Sequence, residues 1–294
     1  MTVNEKIWEV WKSCGVEIPS FQSLFLKFKF QDTELASATG FLVSSPLRVS
    51  LVTARHNVTG CNNNNGKLLH SKNGIPDRVD IFHNGISPFS NVLKTERLIY
   101  DDGTPAWIEH PELGANCDVV LIPLMDTEDV YLIPYDTSSN YPDISVRPSE
   151  LISVIGFPMN QTAGGMLAIW CSGYVASEPT LDYAGQPKFL VDCRTRAGQS
   201  GSPVIAYRSS AYNAYGGGIV LGQGPSILPL GVYTGRIHEE ADIGEVWKWA
   251  VVESLVRAFD VRIARECQLA LEKFGQDSPE FAATCGKYGL VARN

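Results

Sequence analysis

The stretch RAGQSGSPVIAY, residues 196–207, sets a serine between two glycines and runs through a proline into an apolar segment. Gly, Ser and Pro are the ordinary material of a surface turn, so a turn before a strand is the first reading. The second reading makes Ser200 a nucleophile. It requires Gly198 and Gly201 to supply backbone conformations closed to other residues, a base elsewhere in the chain, and an acid to orient that base.

Around this turn the chain reads as strands. LFLKFKF (24–30), ATGFLVSS (38–45), RVSLVTA (48–54), VDIFHN (79–84) and DVVLIPL (118–124) are rich in β-branched and aromatic residues and bounded by Gly, Pro, Asn or Ser. After a polar stretch near 134–150 come LISVIGFP (151–158), MLAIWCSGYVAS (166–177), KFLVDCR (188–194), SPVIAY (202–207), GGIVLGQG (217–224) and LPLGVYTG (228–235). Two successive groups of about six strands predict a mainly β molecule of two packed six-stranded antiparallel β-barrels rather than one sandwich. In ADIGEVWKWAVVESLVRAF (241–259), Ile243, Val246, Trp247, Ala250, Val251 and Leu255 recur at helical spacing, and Asp242 and Glu245 sit like a capping pair. A helix is expected there, running on to Phe274 before Gly275, with a second short helix capped by Ser278 and opened by Pro279. The expected organisation is an N-terminal extension (1–20), an N-terminal barrel (21–140), a C-terminal barrel (141–240) and C-terminal helices (241–294).

At 294 residues, 44% of them hydrophobic, the chain can bury a large core. Its net charge of −8 and lack of a Lys/Arg stripe argue against nucleic acid or an anionic membrane as partner. No run of about 18 apolar residues occurs, and the first residues lack a signal-peptide core. Seven cysteines, an odd number without a Cys-x-x-Cys pair, suit reduced thiols better than a disulfide framework or a zinc site. A cytoplasmic protein without metal or cofactor is expected. The tract Asn62 to Asn65 reads as a mobile loop.

Of five histidines, His56 alone closes a strand, SLVTARHNVTG, and enters a turn. Taken by itself, a lone histidine there is more often structural. A carboxylate leading into a hydrophobic strand appears at Asp118 in NCDVVLIPL, where a plain turn residue is the competing reading. The order His56, Asp118, Ser200 and the flanking strands exclude an α/β-hydrolase, which would run serine, acid, histidine on a strand-to-helix elbow.

Three motifs, TARH, DVVLIPL and GQSGSPV, make the sequence resemble trypsin-like serine peptidases of the chymotrypsin fold, of the bacterial kind related to HtrA and glutamyl endopeptidases. GVYTGRI and DIGEVW look like that family's last strand and helix, so the resemblance covers roughly residues 20–258, without a PDZ domain. It implies Ser200 as nucleophile, His56 as general base and then acid, Asp118 as its orienting carboxylate, and an oxyanion hole from the backbone N–H groups of Gly198 and Ser200. It also implies a polypeptide substrate cleaved through an acyl-enzyme. Digestive members carry an Asp before the nucleophile to pair with a new amino terminus; here that residue is Gln199.

The resemblance puts Arg194 at the base of the specificity pocket, with Thr195 beside it and Tyr233, Thr234 and Arg236 on the far wall, which implies a preference for acidic residues before the scissile bond. The competing reading has Arg194 paired with Asp192 or another surface carboxylate. At the level of function, the alternative is a catalytically idle member of the fold acting as a protein-binding module. The C-terminal helices are expected either to cap the barrels or to dock a regulatory protein.

Overall fold

The computed structural model describes residues 13–63, 65–70, 74–87, 89–138, 140–222, 224–238 and 240–288. A one-turn helix α1 (Pro19–Gln22) leads into β1 (Ser23–Phe30), β2 (Thr33–Ser44), β3 (Val49–Thr53), the short helix α2 (Arg55–Thr59), β4 (Arg78–Asn84), β5 (Asn91–Arg97), β6 (Ile108–Glu109), β7 (Val120–Pro123) and β8 (Tyr135–Asp136). The second half holds β9 (Leu151–Gly156), β10 (Ile169–Val175), β11 (Lys188–Asp192), β12 (Ser202–Arg208), β13 (Ala211–Asn213), β14 (Ile219–Leu221), β15 (Ser226–Arg236) and β16 (Ile243–Lys248). Helices α3 (Trp249–Phe274) and α4 (Pro279–Gly286) follow.

The second half is a closed six-stranded barrel in the order β10-β11-β16-β15-β12-β9. The first half departs from the expected six-stranded barrel: among the described residues it is an eight-stranded sheet, β5-β4-β1-β2-β3-β7-β6, with β8 pairing β2, and its outer strands are not joined. Strand β6 offers only two residues for pairing, and β5 brings Lys94, Glu96 and Arg97 to the other edge, both features that end a ladder.

Two further expectations need correction together. The apolar run at 217–224 does not supply a barrel strand; among the described residues β14 pairs only with β13, and Ile219 and Leu221 are 71% and 82% exposed. The sixth place in the barrel goes to β16, inside the segment 241–248 read as helix. The apolar pattern over 243–248 fits either period, and in the strand that forms Val246 and Trp247 are both buried. Tertiary pairing decides: β16 lies between β11 and β15, and a helix there would leave two strand edges unpaired. The helical segment therefore starts at Trp249, not at 241. Its end is as expected, with Gly275 donating to the Leu271 carbonyl, and Ser278 caps α4 by accepting from the Phe281 N–H.

Helix α3 is amphipathic, and its apolar stripe of Val252, Leu255, Val256, Phe259 and Ile263 packs into a core shared by both halves with Phe41, Val52, Ile205 and Val232. Trp249 stacks on Phe41 and meets Tyr135 edge-on. Helix α4 then brings Cys285 and Tyr288 under cover, with Tyr288 edge-on to Phe259 at 5.8 Å. Arg48 lies over the Phe259 ring and donates to the Tyr288 carbonyl. Removing residues 276–294 exposes Phe259 and strips the half-buried Arg48 guanidinium of an acceptor. The truncated chain is expected to lose about 3 kcal/mol of stability, read as a lower denaturant midpoint; an unchanged midpoint would assign this end to docking.

Candidate active site

Strands β3 and β7 run antiparallel with Thr53 opposite Val120, so the residues after β3 and those before β7 emerge at one end of the sheet. This register is what brings His56 and Asp118 together. Helix α2 lifts His56 off the strand and stops at once, because Gly60 takes a left-handed conformation and returns its N–H to the His56 carbonyl. Asp118 holds the histidine twice: Oδ2 lies 2.8 Å from His56 Nδ1, and Oδ1 accepts the His56 backbone N–H at 2.9 Å. A carboxylate only accepts, so Nδ1 carries the proton and Nε2 is left as the basic nitrogen. Burial works against the imidazolium, but the Asp118 charge and hydrogen bond outweigh it and raise the His56 pKa above its ordinary value.

Ser200 comes from the other half, just ahead of β12, where Gly201 donates to the Tyr233 carbonyl at 2.8 Å. Cross-bonds seat it at the seam between the halves. Its carbonyl accepts from the Thr39 N–H at 3.1 Å and from Asn57 Nδ2 at 3.2 Å, while Thr53 Oγ1 donates to the Thr39 carbonyl at 2.8 Å. Gly201 has φ +89°, and a Cβ there would overlap the Thr39 carbonyl oxygen. The Ser200 hydroxyl is turned to the Thr234 carbonyl at 3.3 Å and makes no hydrogen bond to the imidazole. The histidine and carboxylate are joined; the serine hydroxyl is engaged by the Thr234 carbonyl instead.

The turn before Ser200 leaves two donors free. The Ala197 carbonyl accepts from the Met159 N–H at 2.7 Å, so the trans peptide points the Gly198 N–H the opposite way. The Gln199 carbonyl accepts from the Ser202 N–H at 3.0 Å and orients the Ser200 N–H likewise. Neither amide donates to any described residue. Gly198 has φ +94°, its carbonyl accepts from Thr39 Oγ1 at 2.8 Å, and a Cβ would overlap the Phe157 carbonyl oxygen. Only glycine fits. Two oriented, unused N–H groups beside a hydroxyl are a ready site for a developing oxyanion.

Beside His56 opens a cleft of about 200 Å³, lined among others by Asn63, Asn116, Gln186, Lys188, Thr234 and Arg236. Thr195 and Tyr233 join hydroxyls in a buried hydrogen bond, and burial pushes the Tyr233 phenol up to about 12, so it stays neutral. Arg194 is exposed, makes no ion pair to Asp192 or any other described residue, and does not line the cleft. Lys188 in the cleft is neutralised by Glu245 at 2.8 Å. Arg236 lines it and has no counter-ion among the described residues. No group of three or more His, Cys, Asp or Glu side chains among the described residues is placed to hold a metal.

Sequence reasoning missed Thr39, Asn57 and the Lys188–Glu245 pair. Asn57 follows His56 directly and was within reach of a local reading; Thr39, Lys188 and Glu245 become visible only through strand pairing. The tract at 62–65 is tied to this site as well: Asn63 accepts from Arg55 at 3.0 Å and donates to the Ala115 carbonyl at 3.0 Å. Asn64 lies outside the described residues.

A family model described as a trypsin-like peptidase domain matches residues 38–211, more than half of the chain, and spans His56, Asp118 and Ser200. No curated protein matches. Among solved structures, the chain is similar to an active-form protease of Mycobacterium tuberculosis, at 14% identity and TM-score 0.44 over 87% of this chain and 84% of that one. A serine endoprotease of Yersinia pestis matches at 12% identity and TM-score 0.44, over 88% and 66%. The protease Anisep of Arthrobacter nicotinovorans matches at 14% identity and TM-score 0.47, over 82% and 96%.

Proposed function

The chain belongs to the trypsin-like peptidase family, and from that premise we propose that Ser200, His56 and Asp118 act as one unit in an endopeptidase. Ser200 Oγ turns from the Thr234 carbonyl toward His56, gives its proton to Nε2 and attacks the scissile carbonyl. The Gly198 and Ser200 N–H groups receive the oxyanion. His56 then protonates the leaving amine, and water, deprotonated by the same nitrogen, releases the acyl group from Ser200. Throughout, Asp118 holds the tautomer and offsets the imidazolium charge. The observation that carries this reading is the double grip of Asp118 on His56 next to two unused, oriented amides. Labelling by a fluorophosphonate tests it: wild type is expected to be modified at Ser200, and intact Ser200 after prolonged exposure would overturn it.

An acidic preference before the scissile bond is the finer part of the proposal. Its support moves from Arg194, which is exposed outside the cleft, to Arg236, the cleft cation without a counter-ion among the described residues, whose charge acts on the Tyr233 phenol. A charge-assisted contact of this kind is worth about 1.5–3 kcal/mol. In a peptide library, Arg236→Ala is expected to cut cleavage at Asp and Glu by about 10- to 100-fold relative to neutral residues; an unchanged profile would remove Arg236 from recognition. A reducing, cytoplasmic setting belongs to the same reading, supported by seven cysteines that are all free thiols.

A further inference from the structure

The turn that presents the oxyanion amides is closed by one side chain. Gln199 is fully buried, its Oε1 accepts the Arg196 backbone N–H at 2.8 Å, and its own N–H donates to the Arg196 carbonyl at 3.2 Å. These reciprocal bonds tie the two ends of residues 196–199 together. Gly198 lies inside that loop, and Ser200 follows it immediately.

The choice of glutamine is costly for folding. Its Nε2 is buried without a partner among the described residues, and an unpaired amide in the interior is unfavourable. Methionine has nearly the same length and would bury there without an orphaned donor. What methionine lacks is the acceptor oxygen, so the single bond from Arg196 is what the polar side chain supplies. The other tethers of the turn, from Met159 to Ala197 and from Thr39 to Gly198, act on single carbonyl groups and do not close it. The ion pair of Arg196 with Asp242 at 3.3 Å is about 40% exposed on both sides and adds little.

We propose that Gln199 is a positioning residue for peptide hydrolysis: by holding the Arg196 N–H it locks the 196–199 turn in the form that keeps the Gly198 and Ser200 N–H groups free for the oxyanion. The inference rests on Ser200 being the nucleophile. It makes the competent turn a property of the turn itself, held by neutral groups.

The test compares wild type, Gln199→Met and Gln199→Glu, the last of which keeps an acceptor oxygen at the same reach. Gln199→Met is expected to lose about 100-fold in kcat with KM within about threefold, since an oxyanion donor acts mainly in the transition state. Inhibition by a peptide aldehyde, whose hemiacetal oxygen needs the same donors, weakens in parallel. The melting temperature of Gln199→Met stays at or above that of wild type, because the orphaned amide is gone. Gln199→Glu recovers kcat to within about tenfold of wild type. Retention of kcat by Gln199→Met, or an equal loss in both variants, would overturn the proposal. Hydrogen exchange at the Arg196 amide, measured in a Ser200→Ala background, reads the clamp even if the wild type cleaves no peptide. Protection lost in Gln199→Met and kept in Gln199→Glu supports it, and equal protection in all three defeats it.

Discussion

Ser200→Ala is expected to lower kcat on a peptide substrate by about 10⁴- to 10⁶-fold, and adding His56→Ala is expected to cost little more. In the proposed mechanism the two residues serve one proton transfer, so once the hydroxyl is gone the imidazole has nothing to activate. What survives is the oriented pair of amides at Gly198 and Ser200, which leaves residual catalysis over the uncatalysed reaction. The fold should be untouched: the hydroxyl makes one hydrogen bond, at 3.3 Å to the Thr234 carbonyl, and the cross-bonds at the seam go to the Ser200 carbonyl, which alanine keeps. Burst kinetics and steady-state rates on both variants check the result. Independent, multiplying losses would mean that the histidine and serine do not act on the same proton.

The residues at this seam differ in how readable they were before the fold was known, and the difference follows from what each depends on. Ser200 sits in a turn whose glycines are demanded locally, by a positive φ at 198 and 201 and by carbonyl oxygens where a Cβ would go. Such constraints leave a mark within seven residues, GQSGSPV. His56 and Asp118 are marked in the same way, one just after a strand and one just before another. Nothing local reveals that β3 and β7 pair in the register that joins them. Thr39 matters through a partner 159 residues away and Lys188 and Glu245 through each other, 57 residues apart, and their sequence surroundings carry no sign of it.

The error at 241–248 has the opposite origin. Its local pattern was present and pointed to a helix, because Ile243, Val246, Trp247 and Ala250 fit a period of 3.6. Six residues suffice for a strand, and two waiting barrel edges outweigh propensity over so short a stretch. The specificity residues fall between these cases. Arg194 is read from its distance to the nucleophile, whereas the walls of a cleft depend on where a loop turns its side chains, and Arg194 is exposed and does not line this one. Among the described residues Arg236 lines the cleft without a counter-ion, seven residues before β16 begins at Ile243 and two after Thr234, whose carbonyl accepts from the serine hydroxyl.

Asp118→Asn is expected to lower kcat by about 10⁴-fold and to move the acid limb of kcat/KM to lower pH. The amide can donate to Nδ1, which shifts the neutral imidazole to the tautomer with its proton on Nε2, where a base is needed. The shift of the limb has a definite sign. In wild type, burial lowers the His56 pKa, while the Asp118 charge and hydrogen bond raise it further than burial lowers it, so the limb lies above about 6.5. Removing the carboxylate leaves burial alone, and the limb falls below about 6.5. Stability follows the same linkage. A pKa raised by folding contributes stability that is full below the unfolded value of about 6.5 and is lost as pH rises through the folded value. The melting-temperature gap between wild type and Asp118→Asn should therefore be wider at pH 6 than at pH 9. A gap that widens toward pH 9 would mean that the pair does not stabilise the imidazolium, and the electrostatic half of the triad's role would go with it.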